Sequence, residues 1–152
     1  MEHSQSVGLA AGLTARVQLR VSDADTAQAL GSGDVPVLGT PRVLALAEAA
    51  TVAATARHLP AGATTVGVRA ELDHRSPTAV GRVVVAEAYL VTVDGRRLVF
   101  DVTVRDEDLV VADGRVERIL VDRQRFIAKA TDSPSPEDAP GDAPGDGARA
   151  AG

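Results

Sequence analysis

The chain has 152 residues, of which 45% are hydrophobic, and its 16 basic and 21 acidic side chains give a net charge of −5. This composition is sufficient for one folded domain with a hydrophobic core. The sequence contains no cysteine, which excludes disulfides, thiolate nucleophiles and Cys-ligated metals and suits a cytoplasmic protein. Its three histidines form no pair at ligand spacing, so we expect no metal site.

The negative charge is concentrated at the C-terminus. Residues 132–152 carry five acidic side chains and one arginine, a net of −4, which leaves about −1 for the rest of the chain. A near-neutral body with two Phe, one Tyr and no Trp offers neither the basic surface nor the stacking side chains that nucleic-acid binding needs. The apolar runs are too short to span a membrane, and no signal-peptide pattern opens the sequence.

Composition divides the chain into three segments. Residues 131–152 are rich in Pro, Gly, Asp and Ala and repeat DAPG in tandem, which is typical of a disordered tail. Residues 1–7 are expected to be a frayed N-terminus. The periodic patterns that indicate helices and strands all lie between these ends, so we predict a single domain over residues 8–130.

The first two elements of this domain are a strand and a long helix. The run TARVQLRV (14–21) alternates apolar and polar side chains, which predicts a half-buried strand. Residues 22–39 are polar and irregular and predict a loop. Thr40 can cap the helix that follows, and Pro41 suits its first position because a missing N–H costs nothing there. Pro60 lies just beyond the predicted end.

Four strand-like runs follow the helix, at residues 64–74, 81–93, 96–104 and 109–122. In the run 64–74 alternation predicts one apolar face, formed by Val66, Val68, Ala70 and Leu72. His74, at the end of the run, continues the same face. Asp94-Gly95 is a strong two-residue hairpin turn. Asp113-Gly114 indicates a bulge or kink in the last run, and residues 124–130 form either a short closing helix or the end of that strand.

This order of elements predicts an α+β fold of the hotdog type, an antiparallel sheet of about five strands wrapped around one long central helix. A sheet with a single helix must bury one face on that helix, and the many alanines of the helix allow the sheet to approach closely. The exposed edges of such a sheet favour a homodimer that pairs them.

Three stretches of the sequence carry a family resemblance. The runs VLGTPRVLALAEAATVAATARHLPAGATTVGVRAELDHRSPTAVG, VDGRRLVFDVTVRDE and VERILVDRQRFIAKA resemble the fluoroacetyl-CoA thioesterase-like family of hotdog proteins over roughly residues 8–130. The resemblance implies a homodimeric acyl-CoA thioesterase with a Thr–Glu–His catalytic set, which falls on Thr40, Glu48 and His74. It also implies that the backbone N–H of Gly67 lies near the thioester carbonyl.

The sequence departs from the family pattern at two places. Residues 22–39 contain no aromatic side chain, whereas aromatic residues ahead of the helix gate the pocket of the fluoroacetyl-selective enzyme. The family run Gly-Thr-His-Glu-Arg reads Gly114, Arg115, Val116, Glu117, Arg118 here. The resemblance therefore carries thioester hydrolysis to this chain, but not selectivity for fluoroacetyl groups.

Each candidate residue also has a simpler structural interpretation. His74 would be a strand-end histidine bonded to a neighbour, and Gly67 would only allow close packing of its strand on the helix. Thr40 would cap the helix whether or not it takes part in chemistry. A helical wheel places Glu48 beside Thr51 and Thr55, opposite a buried face that includes Ala53, so its simpler role is on a solvated surface.

The residues leave three functions open. The first is hydrolysis of an acyl-CoA, in which His74 acts as acid and base, Glu48 either activates water or attacks the thioester, and Thr40 positions the acyl group or acts as a nucleophile. It needs no metal or redox cofactor, since CoA is part of the substrate. The alternatives are a non-catalytic acyl-CoA or small-ligand binding protein and hydration of an enoyl thioester.

Overall fold

A computed structural model describes residues 8–132 of the chain. The predictions for residues 1–7 and for the tail beyond residue 132 lie outside this range. The elements, in chain order, are β1 (Thr14–Arg20), α1 (Ala27–Leu30), α2 (Thr40–Thr55), β2 (Ala63–His74), β3 (Val83–Asp94), β4 (Arg97–Asp106), β5 (Leu109–Asp122) and α3 (Arg123–Thr131). The predicted α+β hotdog architecture is confirmed, and the closing segment is a helix.

The five strands form one antiparallel sheet in the order β1-β3-β4-β5-β2, with α2 packed on one face. Buried and more exposed side chains alternate along β4 and along β3 as far as Leu90, and the inward side chains of these two strands are at most 2% exposed: Val84, Ala86, Ala88, Leu90, Leu98, Phe100, Val102 and Val104. Each large apolar side chain buried in this way contributes roughly 1.5–3 kcal/mol to folding. No helix in the described part of the chain is long and apolar enough to cross a membrane.

The buried face of α2 is rotated relative to the predicted one. Thr51 and Thr55 are buried, while Ala53 is exposed. Both sides of the helix carry small side chains that differ little in hydrophobicity. The sequence pattern therefore could not determine which side is buried. Burial of Thr51 is tolerated because its hydroxyl donates a 2.6 Å hydrogen bond to the carbonyl of Glu48. Glu48 consequently lies at the border of the buried face rather than opposite it.

The predicted bulge at Asp113-Gly114 is wrong, because β5 runs through these residues without a break. Gly114 is paired on both sides, with Leu72 of β2 and Val102 of β4. A Cβ atom at this position would lie 1.9 Å from the carbonyl oxygen of Glu71. Glycine is therefore present for close approach of the neighbouring backbone, which is the other common role of glycine in a strand.

Replacement of Gly114 by alanine is expected to lower the free energy of unfolding by about 3 kcal/mol or more, because the added carbon meets backbone rather than a movable side chain. Gly62→Ala is the matched control, since Gly62 has open space around it and only a left-handed φ of 81°, which costs roughly 1–2 kcal/mol. Chemical denaturation of both variants measures the difference. Equal stabilities would contradict the proposed backbone contact.

Candidate active site

Thr40 begins α2, but it does not cap the helix as predicted. The N-cap is Gly39, whose carbonyl accepts hydrogen bonds from the amides of Arg42 and Val43. Gly39 is needed here because a Cβ would lie 3.0 Å from the backbone of Ala27. The Thr40 side chain makes no capping bond, and its Oγ1 instead lies 2.7 Å from Nδ1 of His74. A hydroxyl and an imidazole are thus paired at the start of the central helix.

His74 is the last residue of β2, and it points toward the helix as predicted. Its Nδ1 is occupied by Thr40, whereas its Nε2 is buried and has no hydrogen-bond partner among the described residues. Burial lowers the pKa of His74 below its ordinary value of 6.5, and contact with the backbone of Ser76 opposes this only in part. The ring is therefore neutral at pH 7 and able to accept a proton.

A β-bulge in β2 determines which residues face the helix. Gly67 pairs with Arg118 and Arg69 pairs with Glu117, so the intervening Val68 has no partner on β5. The extra residue reverses the alternation, because the side chains of directly paired residues share a face. Val66 therefore lies on the face opposite Leu72, contrary to the prediction, and Val68 is 53% exposed.

The same bulge brings Gly67 and His74 to one face of the sheet. They are seven positions apart in the sequence, and an unbroken strand would point them to opposite sides. With the bulge, their partners on β5 are Arg118 and Ala112, which are six residues apart and share a face. Both candidate residues of β2 consequently face α2.

Glu48 lies two turns along α2, facing Gly67. Its side chain is 39% exposed, and its Oε2 is 3.5 Å from Nη1 of Arg118. A Cβ atom on Gly67 would lie 2.6 Å from the same oxygen, so this position must be glycine for the carboxylate to occupy its place. Glu48 is therefore neither buried nor on a fully solvated surface; it lies at the edge of the sheet beside a backbone that has no side chain.

Arg118 also belongs to this site, although it was not among the candidate residues predicted from the sequence. It is 7% exposed, its Nε and Nη2 donate to the hydroxyl and the carbonyl of Thr65 at 2.9 and 3.0 Å, and its Nη1 faces Glu48. Burial lowers the pKa of Arg118, and the negative charge of Glu48 opposes this shift; the guanidinium remains charged. The sequence did offer one sign of its role: Arg118 occupies a position of β5 that faces the helix. A charge buried there requires a partner.

The structure groups the four predicted residues into two pairs. Thr40 contacts His74, and Glu48 contacts Gly67, but no hydrogen bond or ion pair in the described chain joins Glu48 to Thr40 or His74. Thr40 and Glu48 are eight residues apart, which corresponds to about 12 Å of helix rise. The two pairs therefore lie about two helical turns apart, each between α2 and the edge strand β2.

A cavity of about 270 Å³ opens beside the first pair, and its lining includes Thr40 and His74. Among the described residues no group of three His, Cys, Asp or Glu side chains is arranged to hold a metal ion. The reactive groups of the site are thus a hydroxyl, an imidazole and a carboxylate. Such a set can bind a carbonyl compound, take up a proton and activate water.

Solved structures with the same fold give the class of protein. A hot-dog-like protein from Thermanaerovibrio acidaminovorans is 24% identical, with a TM-score of 0.75 over 86% of this chain and 96% of the other. A thioesterase superfamily member from Thermus thermophilus, TTHA0967, is 21% identical, with a TM-score of 0.75 over 80% and 90%. At these identities the likeness establishes the hotdog fold. No curated protein matches the chain by sequence.

A family model narrows the class. Residues 21–124 match the family "FlK: Fluoroacetyl-CoA-specific thioesterase", and the chain belongs to this family. The fluoroacetyl-CoA thioesterase FlK itself is 26% identical, with a TM-score of 0.76 over 83% of this chain and 98% of FlK. FlK has also been solved with a phenylalanine or, six positions further on, a threonine replaced. The chain is accordingly a thioester hydrolase that acts on acyl-CoA.

The lowered pKa of His74 has a measurable consequence. Because the folded protein binds this proton less readily than the unfolded chain, the stability that His74 contributes is fully present above pH 6.5 and is lost as the pH falls through its folded-state pKa. We expect NMR of histidine-labelled protein, assigned with His74→Gln, to show half-protonation below pH 6.5. A midpoint above pH 6.5 would contradict a neutral, partly buried imidazole.

Proposed function

We propose that the protein is a homodimeric cytoplasmic acyl-CoA thioesterase in which Thr40, Glu48 and His74 carry out hydrolysis. No metal or redox cofactor is required, and CoA enters as part of the substrate. The observation that carries the proposal is the 2.7 Å hydrogen bond between Thr40 and His74, whose Nε2 is buried without a hydrogen-bond partner in the part of the chain that the structure describes. An unpaired buried nitrogen costs free energy, and a functional role would explain why it is retained; the His74 residue belongs to the lining of the cavity at the helix start.

Hydrolysis joins a water oxygen to the acyl carbon, breaks the C–S bond and releases a carboxylate and free CoA. In the proposed mechanism neutral His74 accepts a proton as the attack occurs and returns one to the departing thiolate. Thr40 orients the ring through Nδ1 and directs its hydroxyl toward the acyl group. The backbone N–H of Thr40 at the start of α2 and the backbone N–H of Gly67 are the groups that would stabilise negative charge on the carbonyl oxygen.

Glu48 is proposed as the base or nucleophile. As a base it would take the proton of the attacking water in place of His74 and return it to the departing thiolate. As a nucleophile it would displace CoA as a thiolate and form an anhydride, which water then cleaves while His74 takes the proton of that water and passes it to the thiolate. Both routes need the ionised carboxylate. The charged guanidinium of Arg118 lies 3.5 Å from the Glu48 carboxylate, and its two bonds to Thr65 hold it in one orientation. Arg118 is thus a positioning residue that acts through Glu48.

A dimer is proposed for two reasons. The edge strand β2 exposes residues 67–71 and has no neighbour on its outer side in the described chain, and an open edge of this kind favours pairing with a second copy. In addition, Glu48 and His74 are separated within one chain, so both can act on one thioester only if they come from different copies. Pairing about a two-fold axis would set His74 of one copy against Glu48 of the other.

The hydrolytic activity can be tested by release of CoA, which DTNB reports without background because the protein has no cysteine. We expect His74→Gln and Glu48→Gln to lower kcat by about 100-fold or more, as loss of general acid–base groups does. The controls are His58→Gln, in the turn after α2, and Glu107→Gln, in the β4–β5 turn. Acyl-CoA binding without CoA release by the wild type would instead indicate a binding protein.

Mixed dimers test whether the site is shared between subunits. A purified dimer of one His74→Gln chain and one Glu48→Gln chain should retain about half of the wild-type activity, since two-fold symmetry leaves one of its two shared sites intact. Both homodimeric variants serve as inactive references. Activity no higher than theirs would mean that each site takes all of its groups from a single chain.

A further inference from the structure

The cavity beside Thr40 and His74 has a lining that specifies a ligand. Its walls come from the segment between α1 and α2 and from the turn that follows β2. Besides Thr40 and His74, the lining comprises Ala27, Ser32, Val35, Val37, Leu38, Gly39, Arg75, Ser76 and Pro77. Most of these side chains are aliphatic, and none is aromatic. An apolar cavity that borders a reactive pair is the usual form of a substrate pocket.

The charges at the cavity are already paired. Arg75 is the one lining residue with a permanent charge, and its guanidinium lies 3.0 Å from Asp113 and 3.5 Å from Asp73. The hydroxyl of Ser76 donates to the carbonyl of Val110. A carboxylate on the acyl chain would therefore lie against mostly aliphatic side chains and find no uncommitted cation in the lining to offset the water that it loses.

The cavity is larger than a two-carbon acyl group. Its volume of about 270 Å³ is roughly nine times the 30 Å³ that one water molecule occupies in the liquid. An acetyl or fluoroacetyl group would leave most of this space without contacts, and the dispersion attraction that the lining can provide would be lost.

The segment ahead of α2 also differs from that of FlK. When the threonine that is replaced in FlK structures is matched to Thr40, the phenylalanine six positions earlier corresponds to Asp34. Asp34 is exposed and does not line the cavity. The neighbouring Val35 does line it and is 49% exposed, so an aliphatic side chain borders the entrance in this chain.

We propose that this cavity binds the acyl group and selects uncharged aliphatic chains of about four to eight carbons, a size that follows from the volume comparison above. The inference rests on the proposed function, because it assigns the acyl end of the thioester to the side of Thr40 and His74. Val35 and Val37 are the residues that set its width.

The test compares kcat/KM for acetyl-, fluoroacetyl-, isovaleryl-, hexanoyl-, succinyl- and benzoyl-CoA. We expect the isovaleryl and hexanoyl thioesters to exceed both two-carbon substrates and succinyl-CoA by at least about 10-fold, a ratio that a few buried methylenes provide. Highest kcat/KM with fluoroacetyl-, acetyl-, succinyl- or benzoyl-CoA would overturn the inference while the thioesterase function remained.

The Val35→Phe variant tests whether this cavity determines the selectivity for the acyl chain. Val35→Phe should lower kcat/KM for hexanoyl-CoA by about 10-fold or more relative to acetyl-CoA, because the ring takes up space in the cavity. Val80→Phe is the matched control, since Val80 is 42% exposed and lies outside the lining. Equal effects of Val35→Phe on both substrates, or the same shift in Val80→Phe, would place the acyl group elsewhere.

Failure of the proposed function can be told apart from failure of this inference. If no thioester in the panel releases CoA, hydrolysis is excluded, and calorimetric binding of hexanoyl-CoA and acetyl-CoA to the wild type then decides the matter. At least tenfold tighter binding of hexanoyl-CoA, lost in Val35→Phe, would support the cavity as an aliphatic acyl site. Equal affinities would overturn it.

Discussion

The bulge at Val68 is the constraint on which the arrangement of the site depends. A strand alternates its side chains with a period of two, so Gly67 and His74 could not face α2 together in an unbroken β2. The extra residue resolves this conflict by reversing the alternation between them. If the bulge were removed without other change, His74 would turn to the outer face of the sheet and lose Thr40, or Gly67 would turn away from Glu48.

The helix α2 provides the other half of each pair. Its alanines and buried threonines allow the sheet to lie close, so that side chains only two turns apart reach different ends of β2. Thr40 is free to bond His74 because glycine, and not threonine, caps the helix. Glu48 remains at the sheet edge because Gly67 leaves it room and Arg118 provides a positive charge. Geometry and electrostatics thus place an imidazole and a carboxylate on one face of β2, about two helical turns apart, and the proposed site combines the two groups across a dimer.

Much of this architecture follows from the pattern of the sequence. The strands, the long helix and the orientation of His74 were all predictable, since each depends on local periodicity. The hairpin turn was predicted one residue too early, because Asp94 pairs with Arg97 and the two turn residues are Gly95 and Arg96. The bulge was not predictable, because an alternating run gives no sign of an extra residue until its partner strand is known. Pairing likewise explains the role of Gly114, which the sequence alone assigned to a kink.

The functional groups were harder to place than the elements that carry them. Thr40 and a proline after it satisfy the usual signals of a capped helix, yet contact with Ala27 makes Gly39 the cap. The small side chains of α2 left its rotation undetermined, so Glu48 could not be distinguished from a surface residue. Arg118 needed the structure for a similar reason, because its partners Thr65 and Glu48 are distant in sequence.

The most direct test of this account concerns the hydroxyl that holds the imidazole. CoA release by the wild type should be compared with that of Thr40→Ser, which keeps the hydroxyl, and Thr40→Val, which keeps the shape alone, after both are shown to fold. The account predicts that the serine variant retains most of the activity, while the valine variant loses about 10-fold or more because His74 is no longer oriented. Wild-type activity in Thr40→Val would contradict it.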